Sequence, residues 1–149
     1  MKKGFTFVEL MAVIGIIAVL VGIAVPSLLR SRLNANEQSA ISNIQTISAT
    51  AQTYLSVDNI LPTTLRQLND ENYIDDRLGC PAQPCEKDGY EYSMGGTGLT
   101  TNFFVYTVPK TPNVTGKRSF CAGSDSTVRV NTSGATPASQ AACIAWTPL

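Results

Sequence analysis

The four cysteines are the residues of this chain best suited to covalent chemistry. Cys80, Cys85, Cys121 and Cys143 form an even set, which is typical of a domain that folds in an oxidising compartment, and they allow three pairings. The glycine and the prolines around the first two favour a tight loop, and a bond between the last two would tie the C-terminal tail to a predicted strand. We therefore expect the disulfides Cys80–Cys85 and Cys121–Cys143.

A catalytic centre or a metal site is not predicted. The chain has no histidine, so it lacks the commonest general base and the commonest metal ligand. Four residues separate Cys80 from Cys85 and no second close pair exists, which disfavours zinc. Carboxylates cluster at 70–71 and 75–76, but without EF-hand spacing, so a solvated acidic loop is favoured over calcium. We predict a protein that is not an enzyme and that carries no metal or cofactor.

Charge and aromatic content give no sign of a dedicated nucleic-acid surface. Eleven basic and eleven acidic residues cancel, and 15% of the residues are charged, so no global basic field exists. The aromatic residues Phe103, Phe104 and Tyr106 could stack on bases or form an electron path, but no basic groove or cofactor motif accompanies them. We favour packing of these rings in the core of a small sheet.

The N-terminal part of the chain is a long apolar segment. Glu9 is the one charge between Phe5 and Leu29, and the twenty residues from Leu10 to Leu29 carry none. About 20 residues of helix cross a hydrocarbon core roughly 30 Å thick. A secretory signal has a shorter apolar region and a small-residue cleavage site, so this segment is expected to stay in the protein. A carboxylate in such a segment is costly and indicates a partner or a function for Glu9.

The segment Gly4–Leu10 has the sequence GFTFVEL and resembles the cleavage and methylation motif of type IV prepilins and of type II secretion pseudopilins. The resemblance spans about Lys2 to Pro26 and extends less specifically to Val57. It implies a four-residue leader, 1–4, that a prepilin peptidase removes between Gly4 and Phe5, and N-methylation of the new Phe5 amino group. That group stays cationic and could neutralise Glu9 of a neighbouring subunit, so Glu9 is predicted to form an assembly charge pair.

A helix break is predicted near Gly22 and Pro26. Proline removes a backbone donor and clashes with the preceding turn, and the pilin family is understood to melt this stretch in assembled filaments. The alternative is that both residues are simply tolerated, since glycine and proline are commoner in membrane helices.

The rest of the chain predicts an α+β fold. The apolar helix 5–29 continues as an amphipathic helix, 30–57, that packs on a head, 58–149. The head comprises a connecting loop 58–88 with a short helix near 63–68, an antiparallel sheet 89–131, and a disulfide-bounded region 121–143. Four strands are expected, at Tyr90–Met94, Phe103–Val108, Arg118–Cys121 and Thr127–Val130, with a turn at 95–98. This is the type IV pilin fold, a long helix packed on a roughly four-stranded sheet.

The resemblance implies a structural role. We expect the major subunit of a type IV pilus, supporting adhesion, surface motility or DNA uptake, with a type II secretion pseudopilin or a minor pilin as the alternative. The implied partners are other copies of the chain in a helical filament, the inner membrane, the prepilin peptidase, the pilus assembly machinery, and a host surface or DNA. The implied location is the inner membrane before assembly and an extracellular filament after it.

Overall fold

The computed structural model describes residues 4–96 and 103–149. The first three leader residues and part of the predicted turn, 97–98, lie outside this range. Within it the elements follow the order α1 Phe7–Asp58, α2 Leu65–Asp70, β1 Cys85–Lys87, β2 Tyr90–Gly96, β3 Phe103–Pro109, β4 Ser119–Gly123, β5 Val128–Asn131, α3 Gln140–Ile144 and β6 Thr147–Pro148. The chain divides into two compact units, Met1–Arg32 and Leu33–Leu149.

The N-terminal unit consists of the first part of α1. Its large apolar side chains are all exposed, from Phe7 at 73% to Leu29 at 57%, because it has no core of its own. By length and composition α1 is able to cross a membrane. The helix continues without interruption through Gly22 and Pro26, so this single subunit shows no local unwinding there. Unwinding in an assembled filament stays a prediction.

The C-terminal unit is built on a six-stranded antiparallel meander in which each strand pairs with the next in sequence. The register aligns Tyr92 with Thr107, Thr107 with Phe120, and Phe120 with Val130 across four strands. The second part of α1 packs in the same core through four fully buried side chains spaced three or four residues apart: Ala40, Ile44, Ile47 and Ala51. The predicted α+β architecture is confirmed.

Two of the strands were not predicted from the sequence, and part of one predicted turn belongs to a strand. β1 and β6 have three and two residues, too few for period-two alternation to be recognised. Gly95 and Gly96, predicted as turn, extend β2 opposite Phe104 and Phe103. The Phe104 ring lies over Gly95, where an added Cβ would come within 2.6 Å of it, so glycine is the residue that lets this ring close over the strand.

The aromatic run on β3 is divided between the two faces of the sheet. Phe103 is 1% exposed and belongs to the core, as predicted. Phe104 and Tyr106 are half-buried on the opposite face, where their rings stack with centroids 5.9 Å apart. Successive side chains of a strand alternate between faces, so a run of three aromatic positions on one strand cannot all point inward. The prediction of core packing was wrong for these two.

Two disulfides cross-link the head. Cys80 bonds to Cys85, the first residue of β1, and Cys121 of β4 bonds to Cys143 of α3. The first bond ties the connecting region to the edge of the sheet, and the second holds α3 against its outer face. The structure thus has the two pairs favoured by the sequence, and every cysteine of the chain is paired.

Candidate functional site at the start of the first helix

Thr6 and Glu9 form a reciprocal capping box at the N-terminus of α1. Thr6 immediately precedes the first helical residue, and its carbonyl accepts the first intrahelical bond, from Leu10. The Glu9 Oε2 atom accepts hydrogen bonds from the Thr6 backbone N–H at 2.8 Å and from Thr6 Oγ1 at 2.7 Å. In return the Glu9 N–H donates to Thr6 Oγ1 at 3.2 Å. The box satisfies backbone donors that a helix start otherwise leaves without partners.

Sequence reasoning identified Glu9 but missed Thr6. The signal was present, because a threonine followed three residues later by glutamate before an apolar run is typical of a capping box. Within a single subunit Glu9 therefore has a partner of its own, a neutral one. It also lies in the first helical turn, where the helix dipole favours a negative charge.

Glu9 has no cationic partner in the part of the chain that the structure describes. Among residues 4–96 and 103–149 no lysine or arginine forms an ion pair with it, although five other ion pairs occur. Phe5 is 89% exposed, and its nitrogen is part of a peptide bond with Gly4, so it carries no charge in the uncleaved chain. Cleavage after Gly4 would turn this nitrogen into a free amino group and thus a cation.

The head is attached to α1 through a second carboxylate, Glu37. Its Oε1 accepts from the backbone N–H of Lys117 at 3.0 Å, and its Oε2 accepts from the Arg118 guanidinium, with the closest nitrogen at 2.7 Å. Burial raises the pKa of Glu37, but the Lys117 N–H and the hydrogen bond and charge of Arg118 lower it by more, so the net pKa is below its ordinary value. Arg118 also lies 5.6 Å from the centre of the Phe120 ring.

Several of the other acidic residues are engaged in local structure. Asp70 pairs with Arg66 one turn away on α2, and Asp75 pairs with Lys87 at 2.6 Å. In the described part of the chain no three potential ligands come together in a way that could hold a metal ion. The cysteine sulfurs are bonded to one another, so none is a thiolate ligand.

Comparison with known proteins places this N-terminal arrangement in context. The family described as the prokaryotic N-terminal methylation motif matches residues 1–25. The type II secretion system core protein G of Pectobacterium carotovorum is 35% identical over 63 residues, 42% of this chain and 40% of the relative. The protein of the same name in Vibrio cholerae is 26% identical over 134 residues, 90% of this chain and 81% of the relative. Competence protein ComGC of Halalkalibacterium halodurans is 31% identical over 80 residues, 54% of this chain and 78% of the relative.

A long apolar helix that starts in a methylation motif and then packs on an antiparallel sheet defines the class of type IV pilin-like proteins. The chain belongs to that family, which shares its N-terminal motif with the pseudopilins of type II secretion. It spans less than half the length of the Pectobacterium relative. The relatives named core protein G favour the pseudopilin alternative over the major-pilin prediction, and the apolar helix together with the motif supports membrane anchoring before assembly.

Proposed function

We propose that this chain is a structural subunit of a helical filament of the type II secretion pseudopilus kind. The observation that carries the proposal is the bare apolar part of α1 behind the methylation motif. Its large apolar side chains from Phe7 to Leu29 are all exposed, and full burial of each one contributes about 1.5–3 kcal/mol. Lipid covers this surface before assembly, and the same segments of other copies cover it afterwards.

Removal of the leader prepares the subunit to leave the lipid and to pack against other copies. A prepilin peptidase cuts between Gly4 and Phe5, and the new amino group, methylated, becomes a cation four residues before Glu9. In the filament the Phe5 ammonium of one copy pairs with Glu9 of a neighbour, and Glu9 gives up its hydrogen bonds to Thr6. Because the Phe5 ammonium can reach Glu9 of a neighbour in only one relative position of the two helices, this charge pair specifies the register of the packed helices as well as their adhesion.

A type IV pilus is the second candidate, and the disulfides favour it. Two disulfides cross-link a head of modest size, which suits a fibre exposed outside the cell, where the oxidising surroundings let disulfides persist. In this role the subunit is stored in the inner membrane, extracted by the pilus assembly machinery, and displayed on an extracellular filament that contacts a host surface or DNA.

The test compares wild-type and deletion cells by electron microscopy, by mass spectrometry of sheared fibres and membranes, and by the set of secreted proteins. Whichever filament the chain forms, a peptide that begins with methylated Phe5 supports cleavage after Gly4 and methylation. Retention of the processed subunit in the envelope, with loss of secreted proteins on deletion, supports the pseudopilus. An abundant surface fibre made of this chain, with normal secretion in the deletion strain, supports the pilus. An intact Met1 terminus in mature cells contradicts both.

A further inference from the structure

A polar groove lies in the head between α1 and the connecting region. Asn43 and Thr46 of α1 form one wall, and residues 69–78 with Lys87 form the other. The groove has a volume of about 590 Å³, which lies within the range of roughly 300–1,000 Å³ for small-molecule sites. All of these residues belong to the C-terminal unit.

The wall made by residues 69–78 is held in place by its own hydrogen bonds. The Asn69 Nδ2 atom donates to the Ile74 carbonyl at 3.1 Å and to Asp76 Oδ1 at 3.0 Å. The Leu78 N–H donates to Asp75 Oδ1 at 2.9 Å. The groove is therefore formed before any ligand arrives, which reduces the entropy lost on binding.

The charges of the groove argue against an ionic ligand. Lys87 Nζ is neutralised by Asp75 at 2.6 Å, and Asp76 adds one further negative charge. This balance repels anions. Two carboxylates fall short of the ligand set that a calcium ion needs, and no third potential ligand joins them in the described part of the chain.

What remains in the groove is neutral hydrogen-bonding capacity beside an aromatic ring. Within residues 4–96 and 103–149 the exposed Asn72 amide and the Tyr73 hydroxyl make no hydrogen bond. The Asn43 Nδ2 atom donates to the Tyr92 hydroxyl at 3.0 Å and to Ser39 Oγ at 3.4 Å, and its Oδ1 accepts from no group in this part of the chain. The Tyr73 ring is fixed by an edge contact with Tyr54, with centroids 6.0 Å apart. A side-chain amide offers a donor and an acceptor on adjacent atoms, which matches neighbouring hydroxyl groups on a sugar ring.

We propose that this groove binds a neutral saccharide, through the Asn72 amide, the Tyr73 side chain and the Asn43 carbonyl oxygen. The apolar face of a pyranose ring packs on Tyr73 while its hydroxyls bond to the amides. Binding is weak, because the groove is open and mostly polar. The site lies outside the apolar helix, so it is present in the unassembled subunit and does not depend on the proposed filament role.

The test is saturation-transfer NMR on the full chain in dodecylphosphocholine micelles, a detergent without a sugar head group. The probes are lactose, maltose, cellobiose and N,N′-diacetylchitobiose, with sialyllactose as the anionic comparison. Wild-type protein should bind at least one neutral disaccharide in the millimolar range and should bind sialyllactose less well than lactose.

Two matched glycine variants assign the site. Asn72 and Asn59 both have positive φ, 59° and 55°, so glycine fits either position without strain, but Asn72 alone lines the groove. Asn72→Gly should weaken binding about fivefold, the loss expected for one or two hydrogen bonds, and Asn59→Gly should leave it unchanged. Equal thermal midpoints for the two variants confirm that both are folded. Absence of binding by every neutral disaccharide, preference for sialyllactose, or equal affinity of the two variants overturns the proposal.

Discussion

At the residue scale, Glu9 has one hydrogen-bonding partner before assembly and a different, charged partner in the proposed filament. In the single subunit it bonds to Thr6, and in the proposed filament it bonds to the Phe5 ammonium of a neighbour. A carboxylate without either partner is costly in apolar surroundings. The capping box therefore explains how the subunit tolerates Glu9 in the membrane before a neighbour arrives.

Replacement of Glu9 should separate insertion from assembly. We expect Glu9→Ala to reach the membrane in normal amount but to yield few filaments, because the apolar helix is intact and the charge pair is lost. Immunoblots of membrane and sheared fractions measure both quantities. Glu71→Ala, which removes an exposed carboxylate from the head, is the control and should assemble normally. A normal filament yield from Glu9→Ala would contradict the pairing.

Thr6 should matter before assembly. Thr6→Val keeps the shape of the side chain but removes the hydroxyl that accepts from the Glu9 N–H, so the first turn of α1 should fray. Hydrogen exchange of the amides of residues 6–10 in micelles should accelerate in this variant. Thr6→Ser restores the hydroxyl and should restore protection, and equal exchange in all three proteins would rule out a role for the box.

Glu37 should make the stability of the head depend on pH. Its pKa in the folded state lies below the ordinary value of 4.5, so its contribution is present above the unfolded pKa and is lost as pH falls through the folded value. Glu37→Gln should lower the free energy of unfolding at pH 7 by roughly 1.5–3 kcal/mol and should lower it by less at about pH 4, below the unfolded pKa, where the contribution of Glu37 begins to be lost. Denaturant unfolding of the full chain in micelles at both pH values measures this, with Glu71→Gln as control. A constant difference across pH would show that Glu37 acts through packing and not through charge.

At the element scale, the second part of α1 is held by its apolar stripe on the sheet. The sequence predicted an amphipathic helix over 30–57, and Ile44 and Ile47 on its apolar side are both fully buried. The same reasoning could not find α3 or β6, because five and two residues are too short to show a period. Their positions depend on the disulfide at Cys143 and on pairing with β5, which are contacts distant in sequence.

Truncation within the stripe should cost far more than truncation outside it. Ile44→Ala should lower the free energy of unfolding by about 2–5 kcal/mol, because it leaves a cavity between α1 and the sheet. Val57→Ala removes a side chain that is 63% exposed and should change stability by less than about 0.5 kcal/mol. Thermal and urea unfolding compare the two, and similar losses would mean that α1 does not pack as described.

At the scale of the whole molecule, the division into two units predicts that the head folds without the membrane segment. The core residues all lie beyond residue 32, so a chain of residues 33–149 should be soluble, monomeric and folded with both disulfides. Circular dichroism, thiol titration and sedimentation measure these properties. An unfolded or aggregated product would show that the apolar segment contributes to the stability of the head.

The sequence by itself determined the N-terminal anchor, the place of Glu9 in the motif, the long helix and the four central strands. These features depend on local composition and period, which are visible in a single chain. Only the tertiary structure decided the six-stranded register, the placement of Phe103 and not Phe104 on the core face, and the groove beside Tyr73. Each of these depends on which atoms meet in space, and a one-dimensional pattern does not contain the contacts that select between them.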